Sequence, residues 1–255
     1  MNDESGTGLP ASFEMAWGIR DRPTKGPKRG LSLEQVVEAG VTVANAEGLA
    51  ALSMARIAKE LGTSAMSLYR YVASKDELLV LMIDAAFGGL EWNTVVDGDW
   101  RERLNHWAKV ELMAYRACPW VLHIPVSGAP IMPNQLRFME WGLRSLGETK
   151  LREDEKLSVI LLVTSFTRSF AQLASDIASA FAAGDDTVAN VMANYGRLIK
   201  TLTSAEEFPA LHAVVDAGTF DDEDDEFDGL DYDFHFGLAR VLDGIEALVR
   251  RREET

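Results

Sequence analysis

The chain has 255 residues, of which 47% are hydrophobic, and it carries 25 lysines and arginines against 40 aspartates and glutamates, a net charge of −15. This composition supplies enough apolar material for a real core and excludes an intrinsically disordered chain. The acidic balance argues against non-specific binding of nucleic acid over the whole surface. The single cysteine, Cys118, excludes an intramolecular disulfide and fits a reducing cytoplasm, where we expect the protein to reside.

The charge is unevenly distributed along the chain. The segment Arg20–Lys75 contains nine basic and five acidic residues, a net +4, which leaves −19 for the rest. A basic module joined to an acidic body is typical of a protein that binds a polyanion through one end only.

Residues 1–29 predict a flexible arm, because they are polar, contain Gly and Pro, and show no periodicity. We see no secretory signal there. The basic end of the arm, Lys25–Arg29, stands directly before the first predicted helix.

Capping residues mark the predicted N-terminal helices. Ser32 and Gln35 form a capping box at the start of the first helix, and Gly48 ends it. A second, short helix starts at Ser53 and is stopped by Gly62.

A third helix is predicted from near Ser64 to Val72, and Ser74 with Glu77 forms a second capping box that opens a fourth. The remainder also indicates helices, with an acidic loop of nine carboxylates at Phe220–Asp233 and without an alternating run long enough for a strand. The predicted helices are Trp100–Ala117, Pro119–Pro125, Asn134–Leu146, Glu153–Ala183, Thr187–Leu202 and Phe234–Arg252. The predicted fold class is all-α.

The most apolar stretch, Leu157–Phe166, is interrupted soon afterwards by Arg168 and Asp176. A membrane span needs about 20 apolar residues. We therefore interpret this stretch as a buried helix of a soluble protein that does not bind a membrane.

The segment Ser53–Val72 carries the most specific signal, because two short helices joined by a three-residue turn with Gly62 are typical of a helix-turn-helix. Ile57, Leu61, Leu68 and Val72 are expected to hold the two helices together. The charge of Lys75 at the start of the fourth helix would join free N–H groups in a phosphate-sized anion site. The candidate DNA contacts are Ser53, Met54, Ser64, Ala65, Met66, Ser67, Tyr69, Arg70, Tyr71 and Lys75.

Two alternatives stay open for this segment. Tyr69 and Tyr71 could be packing residues, and Arg56 and Lys59 are interpreted by default as solvated helix charges. The candidate base-facing residues contain no bidentate reader, so they leave the operator sequence open.

The stretch ARIAKELGTSAMSLYRYVASKDELL resembles the DNA-binding domain of the TetR family of bacterial repressors over Leu31 to about Phe87. The segment from Gly98–Arg101 through Leu242–Ile245 is similar to the tetracycline-repressor-like C-terminal domain, with Pro119-Trp120 and Phe208–Leu211 among the matching residues. The resemblance gives Tyr69 a phosphate contact.

This resemblance implies an N-terminal three-helix helix-turn-helix domain plus a C-terminal helical ligand-binding and dimerisation domain. The implied boundaries are an arm at 1–29, the DNA-binding domain at 30–76 and the ligand-binding body at 77–255. The protein would bind double-stranded operator DNA as a homodimer, with the long and the last helices packed against their symmetry mates. Ligand binding would swing the fourth helix and change the separation of the recognition helices.

Most aromatic residues of the body are expected in the core, and some should line an effector pocket. Trp107 and Glu111 lie one helical turn apart on one face, and they stand where tetracycline repressor has drug-contacting Asn and Phe, so neither tetracycline nor its magnesium is carried over. The candidate pocket residues are Trp107, Glu111, Trp120, His123, Trp141, Phe166 and Phe170. No cofactor and no metal site are expected, since His106, His123, His212 and His235 lack metal spacing.

Three functions are compared. The first is a repressor released by a small apolar or amphipathic effector, and it is preferred. The second is a helical enzyme with a fortuitous helix-turn-helix; it has neither a phosphate loop nor a nucleophile motif nor a metal pair, so we expect no enzymatic activity. The third is a helix-turn-helix regulator controlled by a protein partner, or an activator, and the sequence leaves it open.

Overall fold

The computed structural model describes residues 7–19, 31–90, 97–126, 128–182, 188–220 and 229–254. Every regular element within these ranges is a helix, so the predicted all-α fold is confirmed. The α-helices are α1 (Ala11–Ala16), α2 (Leu33–Glu47), α3 (Met54–Glu60), α4 (Ala65–Leu68), α5 (Lys75–Gly88), α6 (Trp100–Ala117), α7 (Pro133–Ser145), α8 (Glu153–Ala182), α9 (Val188–Leu202), α10 (Pro209–Asp216) and α11 (Gly229–Glu253). Two 3-10 helices cover Leu49–Ala51 and Pro119–His123.

The chain forms two compact units. The first comprises Met1–Ala171 with Val241–Thr255, and therefore holds the N-terminal helices together with α6, α7 and the first part of α8. The second unit is Gln172–Arg240, in which α9 packs on α10 and Lys200 pairs with Asp216 at 2.8 Å. The boundary predicted at 76/77 stays a prediction, since the first unit runs across it.

The capping signals place the starts of the N-terminal helices as predicted, whereas the third helix, expected to reach Val72, ends at Leu68. The Ser32 hydroxyl accepts from the Gln35 amide at 3.2 Å and the Gln35 side chain accepts from the Ser32 amide at 2.9 Å, which completes the box at the start of α2. The apolar side chains that are almost completely buried in α2, α3, α4 and the turn after α4 are Val36, Val43, Ile57, Leu68 and Val72. These helices enclose a small apolar core against α5.

The prediction of an arm without structure is wrong for its central part, because Ala11–Ala16 form helix α1 against α5. Phe13 is buried, and the Ser12 hydroxyl donates to the Glu77 carboxylate at the start of α5. The indole N–H of Trp17 donates to the carbonyl of Ile131 at 3.0 Å. A six-residue helix is held by such tertiary contacts rather than by its own propensity. The basic segment Lys25–Arg29 lies outside the described residues.

The C-terminal half departs from the prediction in two places. Helix α10 was not predicted, although Pro209 stands at its first position. Helix α11 begins at Gly229, so 229–233 belong to a helix and not to the predicted acidic loop. The rest of that loop, 221–228, lies outside the described residues.

Helix α8 is apolar but is not buried as predicted. Within the described residues it is the one helix long and apolar enough to cross a membrane by length and composition, over Glu153–Ala180. Only 28% of its most apolar window is buried, and Leu157, Leu161 and Leu162 are 52%, 67% and 49% exposed. An exposed apolar face of this kind marks a surface that meets a partner.

Candidate DNA interface and effector site

The turn between α3 and α4 has the geometry of a helix-turn-helix. At the end of α3 the amide of Thr63 donates to the carbonyl of Ala58 at 2.9 Å and the amide of Gly62 donates to Lys59 at 3.2 Å, a Schellman motif. Gly62 has φ +61°, which only glycine adopts without a steric penalty. Leu68 then packs into the core, while Leu61 is half-buried. The turn therefore fixes which face of α4 remains outside.

The exposed face of α4 and its following turn carries most of the predicted DNA contacts. Met66 and Tyr69 are 76% and 50% exposed, and Arg70 is exposed beside them. Ser64 is exposed, and its hydroxyl lies 3.0 Å from that of the half-buried Ser67. Ala65 is half-buried at the start of the helix. Small and polar residues at this end allow a close approach to a DNA groove.

Three predicted contacts have structural roles. The Ser53 hydroxyl caps α3 by accepting from the Arg56 amide at 3.2 Å. Met54 is 7% exposed, so it belongs to the core rather than to the surface that would face DNA. Tyr71 is half-buried, and its hydroxyl donates to the carbonyl of Leu31 at 2.5 Å, which ties the turn after α4 to a residue two positions before α2.

Lys75 is exposed at the first position of α5, but its ammonium donates to the carbonyl of Leu52 at 2.7 Å. It therefore stabilises the loop that precedes α3. The predicted capping box at Ser74 forms only in half: the Ser74 hydroxyl accepts from the Glu77 amide at 3.0 Å, whereas the Glu77 carboxylate accepts from the amide of Ala73 at 2.7 Å.

Arg56 shows how the charges of α3 are used. Its guanidinium contacts Glu47 at 2.6 Å and Glu60 at 2.9 Å, and it lowers the pKa of the Glu47 carboxyl. These are partly exposed pairs, worth little to stability. Arg56 is therefore a partly exposed charge of α3 that pairs with Glu47 and Glu60.

Hydrogen bonds join α2 to the second 3-10 helix, and they join α5, the linking helix between the DNA-binding helices and the rest of the body, to α7. The indole N–H of Trp120, buried in the 3-10 helix, donates to the Asn45 side-chain oxygen on α2 at 2.6 Å. Asp84 on α5 accepts from the backbone amides of Asn134 and Gln135 at 2.8 and 3.0 Å. It also accepts from the Asn134 side-chain amide at 3.0 Å. Sequence reasoning missed Asp84, although an acidic residue in the apolar face of a helix is a readable signal.

An aromatic cluster lies where α5, α6 and α7 meet. Trp107 is fully buried, stacks on Phe138 at 4.7 Å between ring centroids, and donates its indole N–H to the Phe138 carbonyl at 2.9 Å. The Phe138 ring also contacts Phe87 of α5 at 5.3 Å and half-buried Trp141 at 6.0 Å. Phe87 meets Tyr115 edge to face at 6.1 Å. Two candidate pocket residues, Trp107 and Trp141, are therefore brought together beside the linking helix.

Glu111 is the polar group of this region. It is 2% exposed, and burial raises its pKa to about 8, against the lowering effect of Tyr115, Thr164 and Arg168. The Tyr115 hydroxyl donates to Glu111 Oε1 at 3.2 Å. The spacing to Trp107 singled out Glu111 in the sequence, but its neighbours Tyr115, Thr164 and Arg168 were not predicted.

The other candidate pocket residues lie in different settings. Phe166 and Phe170 are half-buried neighbours on α8, with ring centroids 6.3 Å apart. Trp120 is buried and engaged with Asn45, whereas His123 is exposed, so the two do not form one wall. Among the described residues, no group of three or more His, Cys, Asp or Glu side chains could hold a metal ion.

These features define a helix-turn-helix DNA-binding protein whose recognition helix is attached to a helical body with an aromatic core. Residues 36–82 match the family of bacterial regulatory proteins named tetR, and 95–249 match the tetracyclin repressor-like C-terminal domain. The chain is 36% identical over 253 residues to the HTH-type transcriptional repressor DrrR1 of Streptomyces coeruleorubidus, covering 98% of this chain and 90% of that protein. The chain belongs to the TetR family of transcriptional repressors.

Solved structures agree with this assignment. The TetR family protein ActR of Streptomyces coelicolor, in complex with actinorhodin, superposes with a TM-score of 0.70 at 26% identity, covering 86% of this chain and 97% of ActR. The complex of ActR with (S)-DNPA gives a TM-score of 0.69 at 26% identity, covering 86% and 98%. A TetR variant from Acinetobacter baumannii, in complex with minocycline, shares the fold with a TM-score of 0.58 at 20% identity, covering 86% and 98%.

Proposed function

We propose that this repressor binds its operator as a homodimer and is released by a small apolar or amphipathic effector bound between α5 and the α6 and α7 helices. The observation that supports this proposal is the aromatic cluster of Phe87, Trp107 and Phe138, in which α5 contacts α6 and α7. A molecule inserted at this cluster would contact α5 directly, and α5 continues from the helices that bind DNA. ActR, a relative of this fold, has been crystallised with two small molecules.

For DNA, the outer side of α4 and the following turn, which carries exposed Met66, Tyr69 and Arg70 and half-buried Ser67, would enter the major groove. We expect Arg70→Ala to weaken binding to all sequences alike and to reduce the salt dependence by about one phosphate contact. Substitution of Ser67 should instead change the preference at one or two operator positions. Arg144→Ala on α7 removes the same charge from the body and serves as the control in fluorescence-anisotropy titrations. An Arg70→Ala protein with unchanged affinity and salt slope would contradict this docking.

For assembly, the exposed leucines of α8 would meet their symmetry mates in the dimer. Two-fold symmetry would place the half-sites about one helical turn, roughly 34–36 Å, or a multiple of it apart. We expect a mass of about twice 28.1 kDa in solution, and a monomer for Leu161→Lys. Met113, also an exposed apolar residue at 63%, gives the matched control Met113→Lys on α6. A wild-type mass of 28.1 kDa at micromolar concentration would exclude the dimer.

For control, an effector shifts the protein only if it prefers the conformation that DNA disfavours. We expect compounds found by displacement of a labelled operator to quench tryptophan emission, and operator DNA to weaken their binding by the same factor. Trp141→Ala should reduce the effector response more than the operator affinity. A screen in which compounds bind without any reciprocal effect of operator would favour control by a protein partner.

A further inference from the structure

Four buried side-chain atoms have no hydrogen-bond partner among the described residues, and two of them are oxygens. These oxygens are Oε2 of Glu111 on α6 and Oγ1 of Thr167 on α8. Glu111 is 2% exposed and Thr167 is fully buried. An unsatisfied buried polar atom costs stability, and most native proteins avoid it. Two such atoms on adjacent helices of one unit are therefore best explained by a group that binds there.

The neighbourhood of these oxygens decides what kind of group fits. Thr164, one turn before Thr167 on the same helix, lowers the pKa of the Glu111 carboxyl through a hydrogen bond, and Arg168, the residue after Thr167, lowers it through its charge. The Arg168 guanidinium is fixed by the carbonyls of Leu122 and Ile124 at 3.0 and 3.1 Å and stands 5.8 Å from the centre of the Tyr115 ring. A positively charged ligand would meet this fixed cation in a region of low dielectric. The site therefore selects against cations.

We propose that the effector is a neutral, largely apolar molecule with an oxygen acceptor such as a carbonyl, which hydrogen-bonds to the Glu111 carboxyl and to the Thr167 hydroxyl. This inference rests on the proposed effector function and adds the chemical class to it. The apolar walls would be the aromatic rings of Trp107, one turn before Glu111 on α6, and of Phe138 on α7. The two oxygens supply the polar selection.

The protonation state of Glu111 agrees with this assignment. Burial raises its pKa to about 8, so at neutral pH the carboxyl is mainly protonated and offers an O–H to an acceptor. The ionisable groups that face it are Tyr115 on its own helix and Arg168 on α8. The loss of the carboxyl proton above pH 8 would remove this hydrogen-bond donor and weaken the binding of an effector that offers only an acceptor.

Three probes on one bicyclic skeleton test the inference. 1-Tetralone carries a carbonyl, tetralin carries none, and 1-aminotetralin is an ammonium ion at neutral pH. Tryptophan quenching and thermal shift of the full chain should show tetralone bound roughly threefold to a hundredfold more tightly than tetralin, the value of one to two hydrogen bonds. The ammonium probe should bind most weakly. In wild type the tetralone preference should fall above pH 8.

Variants assign the preference to the two oxygens. Glu111→Gln keeps a neutral donor and should retain the tetralone preference without its pH dependence. Glu111→Leu and Thr167→Val should each bring the ratio of tetralone to tetralin affinity towards one, and circular dichroism checks their folding. Thr149→Val is the matched control, because the Thr149 hydroxyl is buried but donates to the Leu146 carbonyl at 2.7 Å. It should leave the ratio unchanged.

The outcomes separate this inference from the proposed function. Equal binding of tetralone and tetralin, or tightest binding of the ammonium probe, would overturn the inference while the pocket itself stands. A preference that survives unchanged in Glu111→Leu and Thr167→Val would also overturn it. If neither neutral probe binds at millimolar concentration, the effector site of the proposed function is refuted as well.

Discussion

Replacement of Glu111 by Gln should remove a pH dependence from the stability of this protein. The carboxyl has a pKa of about 8 in the folded chain because it is buried, against 4.5 when solvated. Since the folded pKa is the higher one, the protonated carboxyl contributes stability that is fully present below pH 4.5 and is lost as the pH rises through 8. Between these limits the free energy of unfolding falls by about 1.4 kcal/mol per pH unit.

From pH 5.5 to pH 7.5 the wild type should therefore lose roughly 2–3 kcal/mol more than Glu111→Gln, which has no proton to exchange. Urea unfolding of both proteins at equal concentration, followed by circular dichroism, measures this difference, and contributions of other ionisable groups cancel between them. Parallel pH dependences of the two proteins would show that Glu111 is ionised or solvated in the folded state, and would refute the reasoning.

Three further substitutions test the packing that supports the site, each measured by urea unfolding at pH 6. Asp84→Ala should cost about 2 kcal/mol or more, because it leaves the amides that open α7 without an acceptor; a loss below about 0.5 kcal/mol would show that water replaces the carboxylate. Gly142→Ala should cost roughly 1–3 kcal/mol, since the added Cβ would lie 2.8 Å from the Trp107 ring; an unchanged midpoint would mean that the indole moves freely. Gly62→Ala should cost about 1 kcal/mol for its positive φ and should also weaken operator binding; normal affinity would show that the turn tolerates another conformation.

The sequence predicted elements whose signals are local. Ser32 with Gln35, Gly48 and Gly62 mark helix ends through hydrogen bonds and dihedral angles that form within a few residues. The start of α6 at Trp100 was predicted correctly, and in the structure Asp99 and Glu102 complete a capping box there. Local chemistry of this kind is readable without knowledge of the fold.

Features that depend on distant contacts were not predicted. Helix α1 has six residues and packs on α5, where the Ser12 hydroxyl donates to Glu77, a contact that sequence spacing does not encode. Lys75 was expected to serve an anion site, yet its ammonium finds the Leu52 carbonyl, 23 residues away. The unpaired oxygens of Glu111 and Thr167 become visible only when two helices are placed side by side.

Helix α7 depends on another helix for its own beginning. Met132 precedes Pro133 at its start and supplies no side-chain cap, so the carboxylate of Asp84 fills that role from α5. Gly88, one turn further along α5, leaves room for the Asn134 side chain, because a Cβ there would lie 2.7 Å from the Asn134 amide nitrogen. A displacement of α5 by more than a hydrogen-bond length therefore uncaps α7. Deuterium exchange at the Asn134 and Gln135 amides would then become faster whenever α5 moves away from α7. The exchange rate in the first turn of α7 therefore reports the position of α5.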